Sequence, residues 1–141
     1  MHQVRLECYG VCMVRKKLLA AVLLSLLAAC RPGGPLQLET IQTGSSLNSD
    51  HSVGTLATRF KPDDTLFVSV LTKGPGAGKI GVKWTYAGRL VSEDSRDVSY
   101  RDNAATEFHI KNSGGFPAGD YAVEVMIDGK SVATRPLKVE K

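Results

Sequence analysis

"GDYAVEVMIDGKSVATRPLKVEK", residues 119–141, is where the fold reads most directly. Tyr121, Val123, Val125 and Ile127 recur at every second position, so an extended strand puts all four on one face. Asp128-Gly129 follows at once, and a second β-rich run follows that. A type I′ turn needs positive φ at both central residues, so Asp-Gly between two such runs predicts a tight hairpin. The second run changes phase: Val132 and Thr134 share one parity, Leu137 and Val139 the other, with Pro136 between them. Proline has no N–H to give a ladder and belongs at a bulge or on an edge strand. A bulge at Arg135-Pro136 would return Leu137 and Val139 to the inner face.

The same period extends upstream. Leu66, Val68 and Val70 alternate in "TLFVSVLT", Ile80, Val82, Trp84 and Tyr86 in "KIGVKWTYAG", and Thr106, Phe108 and Ile110 in "ATEFHIKN". Ala87-Gly88 and Gly114-Gly115 with Pro117 mark turns between the runs. No segment after residue 30 carries a 3.6-residue period, so the domain is all-β.

The order of these pieces resembles an immunoglobulin-like antiparallel β-sandwich over almost all of residues 36–141. Such domains have about seven strands and bury a tryptophan between the sheets, the place Trp84 would take. Gly119-Asp120-Tyr121-Ala122-Val123 resembles the tyrosine corner, which implies a Tyr121 hydroxyl bonded to upstream backbone. Val123 then stands where antibody domains place their second cysteine, facing one of Leu66, Val68 or Val70. Apolar contact replaces the disulfide, which removes antibody-type domains from consideration. The closing hairpin is also similar to those of bacterial envelope Ig-like modules. Phe116 and Pro117 read as packing residues at the end of the sandwich.

The head of the chain has the layout of a helical signal peptide. Arg15, Lys16 and Lys17 precede an apolar stretch, Leu18 to Ala29, of 12 residues. As a helix this rises roughly 18 Å, too little for a bilayer core of about 30 Å. Glu7, Cys8 and Cys12 fit an n-region badly, and Met13 opens a tidier signal, so translation starts either there or, with a long n-region, at Met1. Leu27-Ala28-Ala29-Cys30 resembles the bacterial lipobox. The resemblance implies a diacylglycerol on the Cys30 sulfur, cleavage before Cys30 and acylation of the new amino group. Ordinary cleavage after Cys30 is the rival. In the enterobacterial lipoproteins that this motif resembles, Asp after the cysteine favours inner-membrane retention, so Arg31 implies the outer membrane facing the periplasm, with the inner membrane or the cell surface as alternatives. These readings divide the chain into a signal peptide (1–29), a lipidated cysteine with a Pro/Gly tether (30–36) and the sandwich (37–141).

Charge excludes one large class of partner. The chain holds 18 basic and 14 acidic residues, net +4. Four of the basic residues and one acidic residue lie in 1–30, so residues 31–141 are nearly neutral at +1. No basic stripe with interleaved aromatics remains for nucleic acid.

Chemistry-bearing motifs are sparse. "GPGAGKI", residues 74–80, has three residues between Gly74 and Gly78 where a phosphate loop has four, and Ile80 where it has Ser or Thr. It reads as a flexible inter-strand loop. His51 and His109 show no ligand spacing, and Asp94 and Asp97 in "SEDSRD" read as a solvated turn, so no metal or cofactor is expected. No nucleophile elbow and no paired carboxylates stand out, and an enzyme is not expected. Lys83 and Glu124 fall outward as a cross-strand ion pair. If Leu66, Val68 and Val70 face inward, Phe67 and Leu71 face outward beside His109, giving a possible partner surface unless residues 37–60 cover it. The resulting expectation is a lipid-anchored, non-catalytic envelope module that binds a protein partner. The alternatives are an accessory lipoprotein of a secretion or pilus machine, or a small-molecule or polysaccharide binder.

Overall fold

The computed structural model describes residues 34–141, and within them the period-two runs are strands. In chain order these are β1 (Gln37–Leu47), β2 (Val53–Leu56), β3 (Arg59–Phe60), β4 (Leu66–Lys73), β5 (Gly76–Tyr86), β6 (Arg89–Tyr100), β7 (Ala104–Ile110), β8 (Gly119–Ile127) and β9 (Lys130–Val139). The signal segment, Cys30 and residues 31–33 of the expected tether lie outside the described residues. One sheet is ordered β2-β1-β4-β7 and the other β3-β9-β8-β5-β6. Every pairing is antiparallel except that of β3 with β9. The chain changes sheet after β2, β3, β4, β6 and β7, while β1–β2 and the hairpins β5–β6 and β8–β9 are antiparallel neighbours within one sheet. This is the connectivity of an immunoglobulin-like sandwich, with the short β2 and β3 added to its usual strands.

Both hairpins turn as their dipeptides require. Ala87 and Gly88 have φ of 48° and 81°, and Asp128 and Gly129 have 52° and 80°, the paired left-handed values of a type I′ turn. The in-phase side chains meet between the sheets: Leu66, Val68, Val70, Ile80, Val82, Val123 and Val125 are fully buried, with Trp84 and Phe108 among them.

The phase slip in β9 is taken up at a different residue from the one expected. Val125 pairs with Ala133 and Met126 with Ser131, so the extra residue is Val132, which is pushed out into solvent. Ala133, Arg135, Leu137 and Val139 then share one face, and Pro136 pairs with Ala122 in unbroken register. Lys138 N–H donates to Thr58 and Glu140 N–H to Phe60, so even-numbered groups of β9 point away from β8. Pro136 has the same parity and therefore lacks its donor only on the outer side, where no strand is present to need it.

Two other segments differ from expectation. In "GPGAGKI" only Gly74 and Pro75 connect strands, and Gly76 to Ile80 are part of β5. A Cβ on Gly76 would lie 2.9 Å from the Pro35 carbonyl oxygen, and one on Gly78 would lie 2.8 Å from Oδ1 of Asp128. These glycines let chain segments cross closely, and no loop remains to cradle a phosphate. "SEDSRD" is not a turn but the middle of β6, with Asp94 and Asp97 exposed.

The expected tether also overlaps the folded unit. Pro35 bridges Ala77 in parallel fashion, Ala77 N–H donates to the Gly34 carbonyl at 3.0 Å, and Leu36 is buried in the core. The apolar side chain of Leu36 and the missing Cβ of Gly76 draw the chain onto β5 at once, so Gly34 to Leu36 belong to the packed unit rather than to a free tether.

Candidate functional site

β6 and β7 are each one edge of their sheet, opposite β3 and β2 respectively, and flank the same side of the sandwich. β6 is 12 residues long and mostly exposed. Its free backbone groups follow from alternation. Asp128 N–H donates to the Lys79 carbonyl, so odd-numbered groups of β5 face β8 and even-numbered ones face β6. The partners of those even residues, Ser92, Asp94, Arg96 and Val98, are thereby used. Glu93, Ser95, Asp97 and Ser99 turn their N–H and C=O groups outward. Ser95 N–H is covered by its neighbour, Oδ1 of Asp94, at 2.7 Å.

The two edges diverge along their length. At one end the Tyr100 and Thr106 hydroxyls are hydrogen-bonded at 2.7 Å. Midway, the Arg96 guanidinium lies 4.5 Å from the centroid of the Phe108 ring and 4.0 Å from Glu107. Glu107 also holds Nδ1 of His109 at 3.0 Å. Beyond this strap the sheets part into a cleft of about 670 Å³. Val91 and Ser92 form one rim; His109, Ile110, Lys111 and Asn112 form the other. Val91 on the first rim and its chain neighbour Leu90 are both more than half exposed.

Aromatic rings make the floor. Tyr86 and Tyr121, cross-strand partners on β5 and β8, have ring centroids 4.7 Å apart, and Phe116 meets Tyr121 edge-on at 5.9 Å. Tyr121 donates to the Pro117 carbonyl at 2.9 Å, the corner bond, and Tyr86 donates to the next carbonyl, Ala118, at 3.1 Å. Gly119 has φ of 146°, and a Cβ there would come within 2.9 Å of the Tyr86 ring. Only glycine admits Tyr86 at this point.

Burial, helped by Tyr86, raises the Tyr121 hydroxyl above its ordinary value of 10.0. A raised native pKa adds stability that is complete below pH of about 10 and is lost as pH climbs through the raised value. Tyr121→Phe is therefore expected to lower stability by about 0.5–1.5 kcal/mol at neutral pH. It should also lose less stability than the parent above pH of about 10. Denaturant melts across that range measure both effects.

The residues proposed for a partner surface are partly separated by the fold. Phe67 is half-buried, with its ring centroid 5.3 Å from that of His109, and Leu71 is half-buried farther along β4. Ser69 between them is fully buried and donates to the His51 carbonyl at 2.8 Å, so residues around His51 interrupt the stripe. Of the three, only His109 borders the cleft. Lys83 and Glu124 are opposite each other in register. Among the described residues the ion pairs within 4.0 Å are Arg59–Glu140, Arg96–Glu107 and His109–Glu107, and theirs is not one. No group of three or more His, Cys, Asp or Glu converges among the described residues. The cleft residues Tyr86, Val91 and Ile110 were not singled out as a site in the sequence; only Phe116, Pro117 and Tyr121 sit in a readable motif.

No protein-family model matches the chain, and no curated protein does. Among solved structures it is similar to cycloisomaltooligosaccharide glucanotransferase from Paenibacillus sp., with 14% identity and a TM-score of 0.55. That match covers 77% of this chain but 14% of the glucanotransferase. It is also similar to the C-terminal domain of wzt, at 11% identity and TM-score 0.51, covering 79% of this chain and 78% of that one. An immunoglobulin-like protein from Pseudomonas aeruginosa gives 9% identity and TM-score 0.53, covering 77% of this chain and 98% of the other. At such identities the likeness is one of fold alone, and the fold is the immunoglobulin-like β-sandwich.

Proposed function

We propose that the chain is an exported, lipid-anchored and non-catalytic binding module of the bacterial envelope, attached through Cys30 and engaging a protein partner by strand addition to β6. The lipobox resemblance supports the anchor. The observation that carries the binding mode is the free edge of β6, with outward groups at four successive odd positions from Glu93 to Ser99. An unpaired edge of this length is a ready template for another extended chain. The non-catalytic reading rests on the sequence, which offers neither a nucleophile elbow nor paired carboxylates.

A polysaccharide-binding role has less support. The glucanotransferase structure is a complex with cycloisomaltoheptaose. A sugar platform needs exposed rings, and among the described residues the exposed large apolar ones are Leu56, Leu90, Val91 and Val132, none of them aromatic.

Ser95→Pro tests the reading. Ser95 N–H serves no ladder bond, so proline is tolerated there by the fold while blocking an added strand. The melting temperature is expected to change little, and in-cell crosslinks to the envelope partner are expected to disappear. Crosslinks that persist in a folded Ser95→Pro protein would defeat strand addition. A dominant crosslink to a secretion or pilus component would narrow the role to an accessory lipoprotein of that machine.

A further inference from the structure

We propose that the cleft receives an apolar side chain carrying or adjoining a carboxylate, both presented by the extended peptide laid along β6. The inference rests on the strand-addition reading and names the chemistry of the partner segment. Three observations converge on it.

The floor is apolar and recessed: Phe116 and Tyr121 are buried, and both tyrosine hydroxyls of the floor are turned away into backbone carbonyls. Both hydroxyl protons of the floor are thus committed to the protein's own backbone, and the cleft volume of about 670 Å³ accommodates one large side chain with room to spare.

The polar rim has one sign. Lys111, His109, Asn112 and Ser92 line the opening, and no carboxylate does. Glu107, which meets the rim through His109, is paired with Arg96 and His109. Lys111 and Asn112 are exposed and supply N–H donors to an incoming carboxylate, a charge-assisted pairing.

The edge leads into the cleft. Ser92 pairs with Trp84 and shares its inward face, and Ser92 also lines the rim. A partner residue added level with Ser92 projects its side chain on the same face, over the cleft mouth. Strand addition and side-chain insertion are therefore one docking event.

Binding to the full chain is measured by NMR titration with N-acetyl-phenylalanine, its carboxamide, and a Val/Thr-rich peptide ending in Phe as free acid and as amide. A further amidated peptide with an internal Phe-Asp separates a side-chain carboxylate from a chain terminus. The acids are expected to shift the Ile110 and Asn112 amides and to bind about tenfold more tightly than the amides, the worth of one charge-assisted hydrogen bond. Lys111→Glu, at an exposed site, should abolish that preference. The peptide should bind more tightly than the single amino acid, and Ser95→Pro should remove only this advantage. Absence of cleft shifts with every acid overturns the proposal even if crosslinks remain sensitive to Ser95→Pro. Equal binding of peptide and amino acid also overturns it, leaving a pocket for a small free acid.

Discussion

Trp84→Ala is expected to cost the domain about 3–5 kcal/mol, the range for truncating a buried large aromatic. Trp84 is 1% exposed and lies on β5, the strand between β8 and β6. It pairs with Val123 and belongs to the same core cluster as Val68, Val70 and Phe108, drawn from strands of both sheets. Removing the indole opens a void bounded by strands that are each fixed by ladders on both sides or tied to the opposite sheet, so they cannot close over it. Domains of this kind have about 5–15 kcal/mol of total stability, so the variant should sit near its unfolding midpoint under mild denaturant. Equilibrium unfolding in urea checks it, with an unchanged slope showing that the fold itself persists. A variant that melts with the parent would mean that Trp84 does not fill the core.

Cys30→Ser is expected to move the protein from the membrane fraction to the soluble one. An acyl chain contributes about 0.8 kcal/mol for each buried CH₂, and one chain alone gives only marginal binding, while two or more hold stably. The serine hydroxyl cannot take the thioether-linked lipid, so the whole of that attachment disappears at once. Folding should be untouched, because the core and ladders among the described residues form without Cys30, and the melting temperature of the released protein should match that of the parent. Fractionation of cells expressing each form gives the answer. Continued membrane association of Cys30→Ser would remove the anchor from the account.

Strands and hairpins were legible because their signals are local. Parity along Tyr121 to Ile127 fixes a face without knowledge of any neighbour, and Asp128-Gly129 fixes a turn by the φ values it tolerates. The bulge was legible only as a necessity. Parity shows that one residue in β9 is surplus, but which one is decided by the partner strand, and β8 chooses Val132. β6 was hidden for a different reason. Its outer face is solvated and much of its inner face overhangs the sandwich, so neither selects apolar residues, and "SEDSRD" has a turn's composition in a strand's place. The cleft gathers Tyr86, Val91, Ile110 and Phe116 from separate elements, and no spacing in one dimension announces that meeting. Cover of the β4 face by the segment at His51 likewise depends on a backbone carbonyl, which leaves no trace in side-chain pattern.

The docking of Gly34 and Pro35 against Ala77 has a mechanical consequence. The chain is gripped at the start of β5, while Tyr86 and the cleft lie at the other end of that strand. At about 3.3 Å per residue the two are roughly 30 Å apart, on an axis parallel to β6. Under the proposed anchoring and strand addition, tension between Gly34 and a strand laid on β6 would run along the strands and shear the hydrogen bonds between them together. A sideways pull would peel the same bonds open one after another. A grip of this geometry holds against force directed away from the attachment and lets go under force across it.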